Sequence, residues 1–476
     1  MPKPLTVMWF RQDLRLRDNP ALLAACAAGS VLPVYILDDK HAGDWPMGAA
    51  SRWWLQQSLI ELDKSLKNKL WVLQGDPLEL LPTLMQEQGA THINWNRCYE
   101  PWRIQRDKKL QASLTDSGFE VASYNGSLLW EPWTNLKGDQ TPYKVFTPFY
   151  KNARANLPPP ELPEPAPRSV PLASCEQAAD KIDKLALTPE IQWYDGMAEC
   201  WQPGEKGAGD KLSQFLNNGI QSYKSGRDFP ASQSVSRLSP HLHYGEISPR
   251  QVWHAAQAES GDTRLEGQIE HYHRELAWRD FSYSLLYHFP NLTKQNMNPR
   301  FDAFPWRQDD KLLKAWQCGA TGYPLVDAGM RELWQTGYMH NRVRMVVGSF
   351  LVKNLMHHWQ DGARWFWDCL VDADLPNNTC SWQWVAGCGA DAAPYFRIFN
   401  PITQSSKFDP DGDYIKQFVP ELAKLPAKYL HDPHSAPANV LDAAGVKLGE
   451  TYPEPVVDLK QSREAALDAY QQIKVS

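Results

Sequence analysis

The segment Leu5–Leu37, "LTVMWFRQDLRLRDNPALLAACAAGSVLPVYIL", decides the fold of the first part of the chain. It holds two short apolar runs, Leu5–Phe10 and Val31–Leu37, on either side of an arginine-rich stretch and a helical pattern. The same alternation continues through "LWVLQG" (Leu70–Gly75), "HINWN" (His92–Asn96) and "FEVASYN" (Phe119–Asn125), with amphipathic segments such as Ser51–Leu66 between them. Strands that alternate with helices imply a parallel sheet covered on both faces, a doubly wound, Rossmann-like α/β domain. No G-x-G-x-x-G follows the first strand, so the fingerprint of an NAD-type dinucleotide site is missing.

From Glu131 to Trp201 the alternation dissolves into proline-rich text such as "LPPPELPEPAPRSVPLAS" (Leu157–Ser174). Proline at this density ends helices and central strands, and the stretch reads as a semi-rigid connector. Beyond Gly204, apolar residues recur at spacings of three and four in Asp210–Tyr223, Gly267–Phe289, Tyr323–Tyr338 and Asn341–Trp359. The expected organisation is an α/β domain over 1–130, a linker over 131–203 and an all-α domain over 204–476. Within the helical part, "DADLPNNTCSWQWVAGCGADAAPYFRIFNP" (Asp372–Pro401) crowds acids, amides and indoles together. Pro376, Gly387 and Gly389 read there as breaks, so a loop carrying function is expected.

Composition excludes several classes. The chain has 476 residues, 43% hydrophobic and 22% charged, too long for one core and globular in profile. No run approaches the ~20 apolar residues that span a bilayer, and the short N-terminal run has no cleavage site after it, so a cytoplasmic protein is expected. The eight cysteines form no C-x-x-C pair, which disfavours a zinc site or disulfide framework and leaves a cluster built from distant cysteines as the alternative; no metal is expected. A net charge of −6 argues against a polyanionic partner, yet arginines are frequent in the second half, and local fields steer ligands. The 21 tryptophans, taken singly, read as core and interface filler.

Five blocks go further. "WFRQDLRLRDNPAL" (Trp9–Leu22), "SRLSPHLHYGEISPRQVW" (Ser236–Trp253), "ELAWRDF" (Glu275–Phe281), "GYMHNRVRMVVGSFLVK" (Gly337–Lys353) and "NNTCSWQWVAGCGADAAPYFRIFNP" (Asn377–Pro401) closely resemble the photolyase/cryptochrome flavoprotein family. They occur in the family's order and span nearly the whole chain.

The resemblance implies FAD in the helical domain, contacted by Tyr223, Ser236, Leu238, Ser239, Tyr272, Arg279, Asn341, Arg344, Asp372, Asp374 and Asn378. Ser236 and Ser239 belong to a phosphate loop, where a helix start suits an anion. The family often has Thr where this chain has Val235, which removes one hydroxyl. Arg344 and Asp372 match an ion pair beside the flavin ring. Asn378 matches the residue facing flavin N5; plant cryptochromes typically carry Asp there, and an amide, unlike a carboxyl, does not titrate.

The resemblance also implies light-driven repair of cyclobutane pyrimidine dimers in DNA. The dimer is flipped out of the duplex into a cavity walled by Trp278 and Trp384, floored by Met345 and hydrogen-bonded by Glu275, with Asn341 at its rim. Arg227, Arg342, Arg397 and Lys407 are the candidates for phosphate contacts, which position DNA without reading its sequence. Trp382, Trp359 and Trp306 match the triad that photoreduces the flavin. A second chromophore is expected, 5,10-methenyltetrahydrofolate ahead of a deazaflavin, although "CYEPWRIQRD" carries Trp102 and Arg103 where folate-binding relatives have an Asn-Glu pair. A monomer with no obligate protein partner is expected.

Two alternatives stand beside repair of this lesion. A cryptochrome-type blue-light photoreceptor commonly adds a long C-terminal extension, whereas this chain ends soon after "YPEPVVDLKQSREAALDAY". Enzymes that repair (6-4) photoproducts carry histidines at the places of Asn341 and Met345. Neither histidine is present.

Overall fold

The computed structural model describes residues 4–174, 181–188, 191–392 and 397–475. The chain forms two compact units. The first takes the chain up to Gln221 together with Ser236–Pro290 and Val371–Pro376; the second takes Ser222–Val235, Asn291–Leu370 and the chain from Asn377 onward.

The first unit holds the expected parallel sheet, in the order β3-β2-β1-β4-β5, from β1 (Leu5–Phe10), β2 (Ser30–Leu37), β3 (Trp71–Gln74), β4 (His92–Asn96) and β5 (Glu120–Tyr124). The apolar runs are buried almost without interruption because helices cover both faces. Register places Trp9 between Val34 and Trp95, and the two indoles meet edge to face at 5.8 Å between centroids. Pro33 is tolerated inside β2 because the ladder to β3 begins only at Val34.

The proline-rich stretch is less of a connector than its composition suggests. Phe146–Asn156 is a helix whose Phe146, Phe149, Tyr150 and Ala153 are buried at helical spacing. Further on, the backbone pairs with β2: Val31 donates to the Pro171 carbonyl at 2.8 Å, and Ala173 donates to that of Val31 at 2.9 Å. Prolines around these two attachments hid them. Cys175, Glu176 to Asp180, Pro189 and Glu190 lie outside the described residues.

The second unit is helical. The main correction to the expected fold concerns Asp372–Pro401, of which Leu375–Ala386 is a regular helix and not a loop. Pro376 occupies its first turn, where a missing N–H costs nothing. Gly387 ends it at φ 92, a left-handed position that glycine takes without strain.

Among the described residues no helix is long and apolar enough to cross a membrane.

Candidate functional site

In the first unit the helix Glu266–His288 organises the site. Tyr272 lies three residues before Glu275, and Trp278 and Arg279 lie three and four after it, so all four share one side of the helix. Tyr272 is buried against Phe215, with ring centroids at 4.6 Å. Trp278 stacks flat on Phe146, 3.9 Å between centroids and 10° between planes. Half of that indole surface is therefore set by the helix hidden in the proline-rich stretch. Arg274 lies over the rings of Phe146 and Tyr150, at 5.2 Å from each.

Arg279 donates to the Ser127 carbonyl at 2.6 Å and lies 4.7 Å from the Tyr283 ring centroid. The Tyr283 hydroxyl donates to Asp374 Oδ2 at 2.6 Å, and His243 Nδ1 is 3.1 Å from the same oxygen. Burial alone raises the Asp374 pKa. His243, Arg279 and Tyr283 outweigh it and bring the carboxyl down to about 2, so Asp374 is an anion at any working pH.

Asp372 accepts from Ser239 Oγ at 2.6 Å. Ser239 is not a helix cap here. It is the first residue of the short helix Ser239–His243, with Leu238 in the cap position and no side-chain cap bond. Its exposed hydroxyl is oriented by Asp372 instead. Between Ser236 and Leu238, Arg237 takes φ 52, a left-handed conformation that a non-glycine residue holds at a cost. Strain of this kind in a loop of serines has no signature in sequence periodicity.

In the second unit Tyr223 is buried, with the Arg227 guanidinium 5.4 Å from its ring centroid. The helix Asn341–Ser349 is capped by His340, whose ring accepts from the Arg342 amide. His340 is thus turned into a cap, and Asn341, Arg344 and Met345 share one side of the helix that follows. Arg344 donates to the Met339 carbonyl at 2.7 Å. It belongs to the second unit and Asp372 to the first.

Three cations gather near one another in this unit. Arg342 pairs with Asp228 at 2.8 Å and lies 4.3 Å from the Phe408 ring, which Lys407 approaches at 5.0 Å. Phe229 meets Phe408 edge to face at 6.0 Å, next to Asp228 and Arg227 in sequence. Arg397 is exposed, and the buried amine of Lys353 donates to its carbonyl.

The helix Leu375–Ala386 resolves the crowding in its sequence. Asn378 and Trp382 stand one turn apart on one side, while Trp382 and Trp384, two residues apart, diverge by about 200°. Asn378 donates from Nδ2 to the Ala363 carbonyl at 2.9 Å, leaving its Oδ1 as an acceptor. Next to it the buried Thr379 hydroxyl has no hydrogen-bond partner among the described residues. A buried polar atom of that kind calls for one, and a polar cofactor would supply it. Trp384 donates to the Asp391 carbonyl at 3.1 Å.

Trp382 is packed between Phe366 at 5.0 Å and Trp316 at 6.2 Å, and its six-membered ring covers Gly362. Gly362 lies one turn after Trp359 on the helix Trp359–Cys369. Trp359 is fully buried, and its indole N–H donates to Asn296 at 2.8 Å. Trp306 is half-buried against Phe304 at 4.4 Å. Sequence reading missed Phe146, Gly362 and Asn296, which hold these indoles from positions far away in the chain.

Two family models match the chain: DNA photolyase over residues 6–168 and the FAD binding domain of DNA photolyase over residues 272–472. The deoxyribodipyrimidine photo-lyase of Agrobacterium fabrum is 49% identical over 98% of each chain. Cryptochrome-2 of Arabidopsis thaliana is 38% identical over 96% of this chain and 77% of its own length. A crystal structure of a bacterial class III photolyase from Agrobacterium tumefaciens superimposes with a TM-score of 0.96 at 47% identity, covering 100% of this chain and 99% of that one. The chain belongs to the photolyase/cryptochrome family and carries its FAD-binding domain.

Proposed function

We propose that this chain is a deoxyribodipyrimidine photo-lyase, an enzyme that uses blue light to split cyclobutane pyrimidine dimers in DNA. The observation that carries the reading is the shared side of the helix Glu266–His288, on which Tyr272 and Arg279, of flavin-contact type, flank Glu275 and Trp278, of lesion-contact type. Cofactor and substrate groups borne side by side on one helix face suit a reaction in which the two lie next to each other. Reduced FAD supplies light absorption and an electron that returns once the cyclobutane ring has opened.

The chain's own residues do the rest. Ser236, Leu238, Ser239 and Tyr223 hold the cofactor's phosphates and ribityl region; Arg279, Asn341, Arg344, Asp372 and Asp374 hold its polar edges. Asn378 presents a carbonyl oxygen that cannot exchange a proton. Glu275 hydrogen-bonds a pyrimidine carbonyl, where negative charge develops, and Trp278, Trp384 and Met345 enclose the flipped dimer and exclude water. Arg227, Arg342, Arg397 and Lys407 hold the flanking phosphates. Trp306, Trp359 and Trp382 carry electrons inward to restore the reduced cofactor.

The α/β domain over 1–130 is the antenna module, the linker spans 131–203, and the catalytic domain covers 204–476. We assign the antenna as 5,10-methenyltetrahydrofolate, with a deazaflavin the second choice. Trp102, packed against the guanidiniums of Arg103 at 4.8 Å and Arg106 at 5.2 Å, supports a stacked chromophore. The protein works as a cytoplasmic monomer.

The reading is tested by binding in the dark. The flavin-loaded protein is expected to hold a dimer-containing duplex far more tightly than the same undamaged duplex, and to release it under blue light. Equal affinity for the two duplexes would favour the photoreceptor alternative.

A further inference from the structure

We propose that His358 is a positioning residue of the photoreduction path, its uncharged ring filling the gap between the middle and outer indoles. The inference rests on the proposed role of Trp359 as the middle indole and Trp306 as the outer indole of that path.

Three observations carry it. The His358 ring meets Trp306 edge to face at 5.1 Å and 74°, and meets Trp359 at 5.5 Å and 32°, so one imidazole touches both indoles. The segment that bears Trp306 is fastened beside it: Arg307 donates to the Met356 carbonyl at 2.8 Å and bridges to His357, whose Nε2 lies 3.1 Å from the Asp309 carbonyl. Met356 takes φ 58 to make this turn, a cost that a mere connection would avoid. Finally, His358 is the cap of the helix Trp359–Cys369, accepting from the Gln360 amide at 3.2 Å through Nδ1. That bond leaves the proton of the neutral ring on Nε2 and fixes its plane.

The chemistry favours a neutral ring at this place. In each step one electron moves inward and one positive charge moves outward, with no bond formed or broken; an added thiol finally returns the electron to Trp306. The Trp306 indole N–H is buried without a hydrogen-bond partner among the described residues, so the oxidised ring cannot pass its proton to a neighbour. A cation at 5 Å would oppose that charge. Burial lowers the His358 pKa, and Arg364 adds to the effect, against Asp361 on the same helix and Asp302 on the turn Pro299–Ala303.

Two substitutions separate positioning from helix capping. His358→Asn keeps a good cap but removes the ring, whereas His358→Phe keeps the ring and loses the cap. Photoreduction by blue light with added thiol is expected to stay within about twofold of wild type in His358→Phe and to slow about tenfold in His358→Asn, equivalent to about 1.4 kcal/mol of barrier. Melting temperature is expected to rank the other way, with the Asn variant the more stable. Dimer repair by either variant, once chemically reduced, should match wild type and so report an intact fold. If His358→Asn photoreduces at the wild-type rate while Trp306→Phe is slow, the inference about His358 fails alone. If Trp306→Phe is also at the wild-type rate, the electron path itself is wrong.

Discussion

The six-membered ring of Trp382 rests on the bare Cα of Gly362, where an added methyl group would overlap the ring atoms Cη2, Cζ3 and Cζ2. Both partners are buried, with Phe366 and Trp316 behind the indole, so neither has room to retreat. Gly362→Ala is therefore expected to destabilise the protein by ~1–3 kcal/mol through overpacking. It should also shift Trp382 and slow photoreduction. Urea unfolding and blue-light photoreduction would check both, and an alanine variant as stable as wild type would contradict the packing.

Trp306→Phe should slow photoreduction about tenfold or more, roughly 1.4 kcal/mol of barrier or above, and leave repair by pre-reduced enzyme intact. The two effects separate because Trp306, half-buried against Phe304, is assigned to the electron path and not to the lesion pocket. Loss of both activities would remove it from the electron path and make it structural.

Phosphate contacts release counterions, so affinity for dimer-containing DNA should fall steeply with salt. Arg342→Ala is expected to reduce the log–log slope by about 1 and to weaken binding similarly for all flanking sequences. Asp228→Asn, which frees Arg342 from its partner at 2.8 Å, should act in the opposite direction. Filter binding over a salt series would measure it. A slope unchanged in Arg342→Ala would take this residue off the DNA.

His273 lies flat on Trp253, 3.6 Å between centroids and 7° between planes, and its Nε2 donates to the Trp253 carbonyl at 3.0 Å. Burial lowers its pKa from 6.5 to about 4, against the opposing effect of that hydrogen bond. The unfolded chain then takes up a proton first, so stability is full above about pH 6.5 and is lost as pH falls toward 4. The loss approaches about 3 kcal/mol at the acid end. His340, also lowered to about 4 by burial, acts with the same sign. His273→Phe, which keeps the stack, should make stability fall less between pH 7 and 5 in urea titrations; an unchanged pH slope would contradict the account.

The parallel sheet was legible because strands buried on both faces read as nearly unbroken apolar runs, and β1 and β2 leave that trace. The helix Leu375–Ala386 was not, since Pro376 and Gly387 look like breaks until their places at its two ends are known. Phe146–Asn156 was hidden by the prolines around it, although its four buried residues keep helical spacing. Site residues became visible through family motifs and not through periodicity: nothing local links Trp359 to Asn296 or Trp278 to Phe146, which meet only through folding. His358 went unread for the same reason, its two indole neighbours being one adjacent and one distant in sequence.

The central claim is tested most directly by incubating the purified, reduced, flavin-loaded protein with an oligonucleotide that contains one thymine dimer, then counting restored thymines by chromatography in light and darkness. Restoration under blue light alone, abolished by heat-denaturing the protein, is the predicted result. No light-dependent restoration from the reduced protein would contradict the assignment as a photo-lyase.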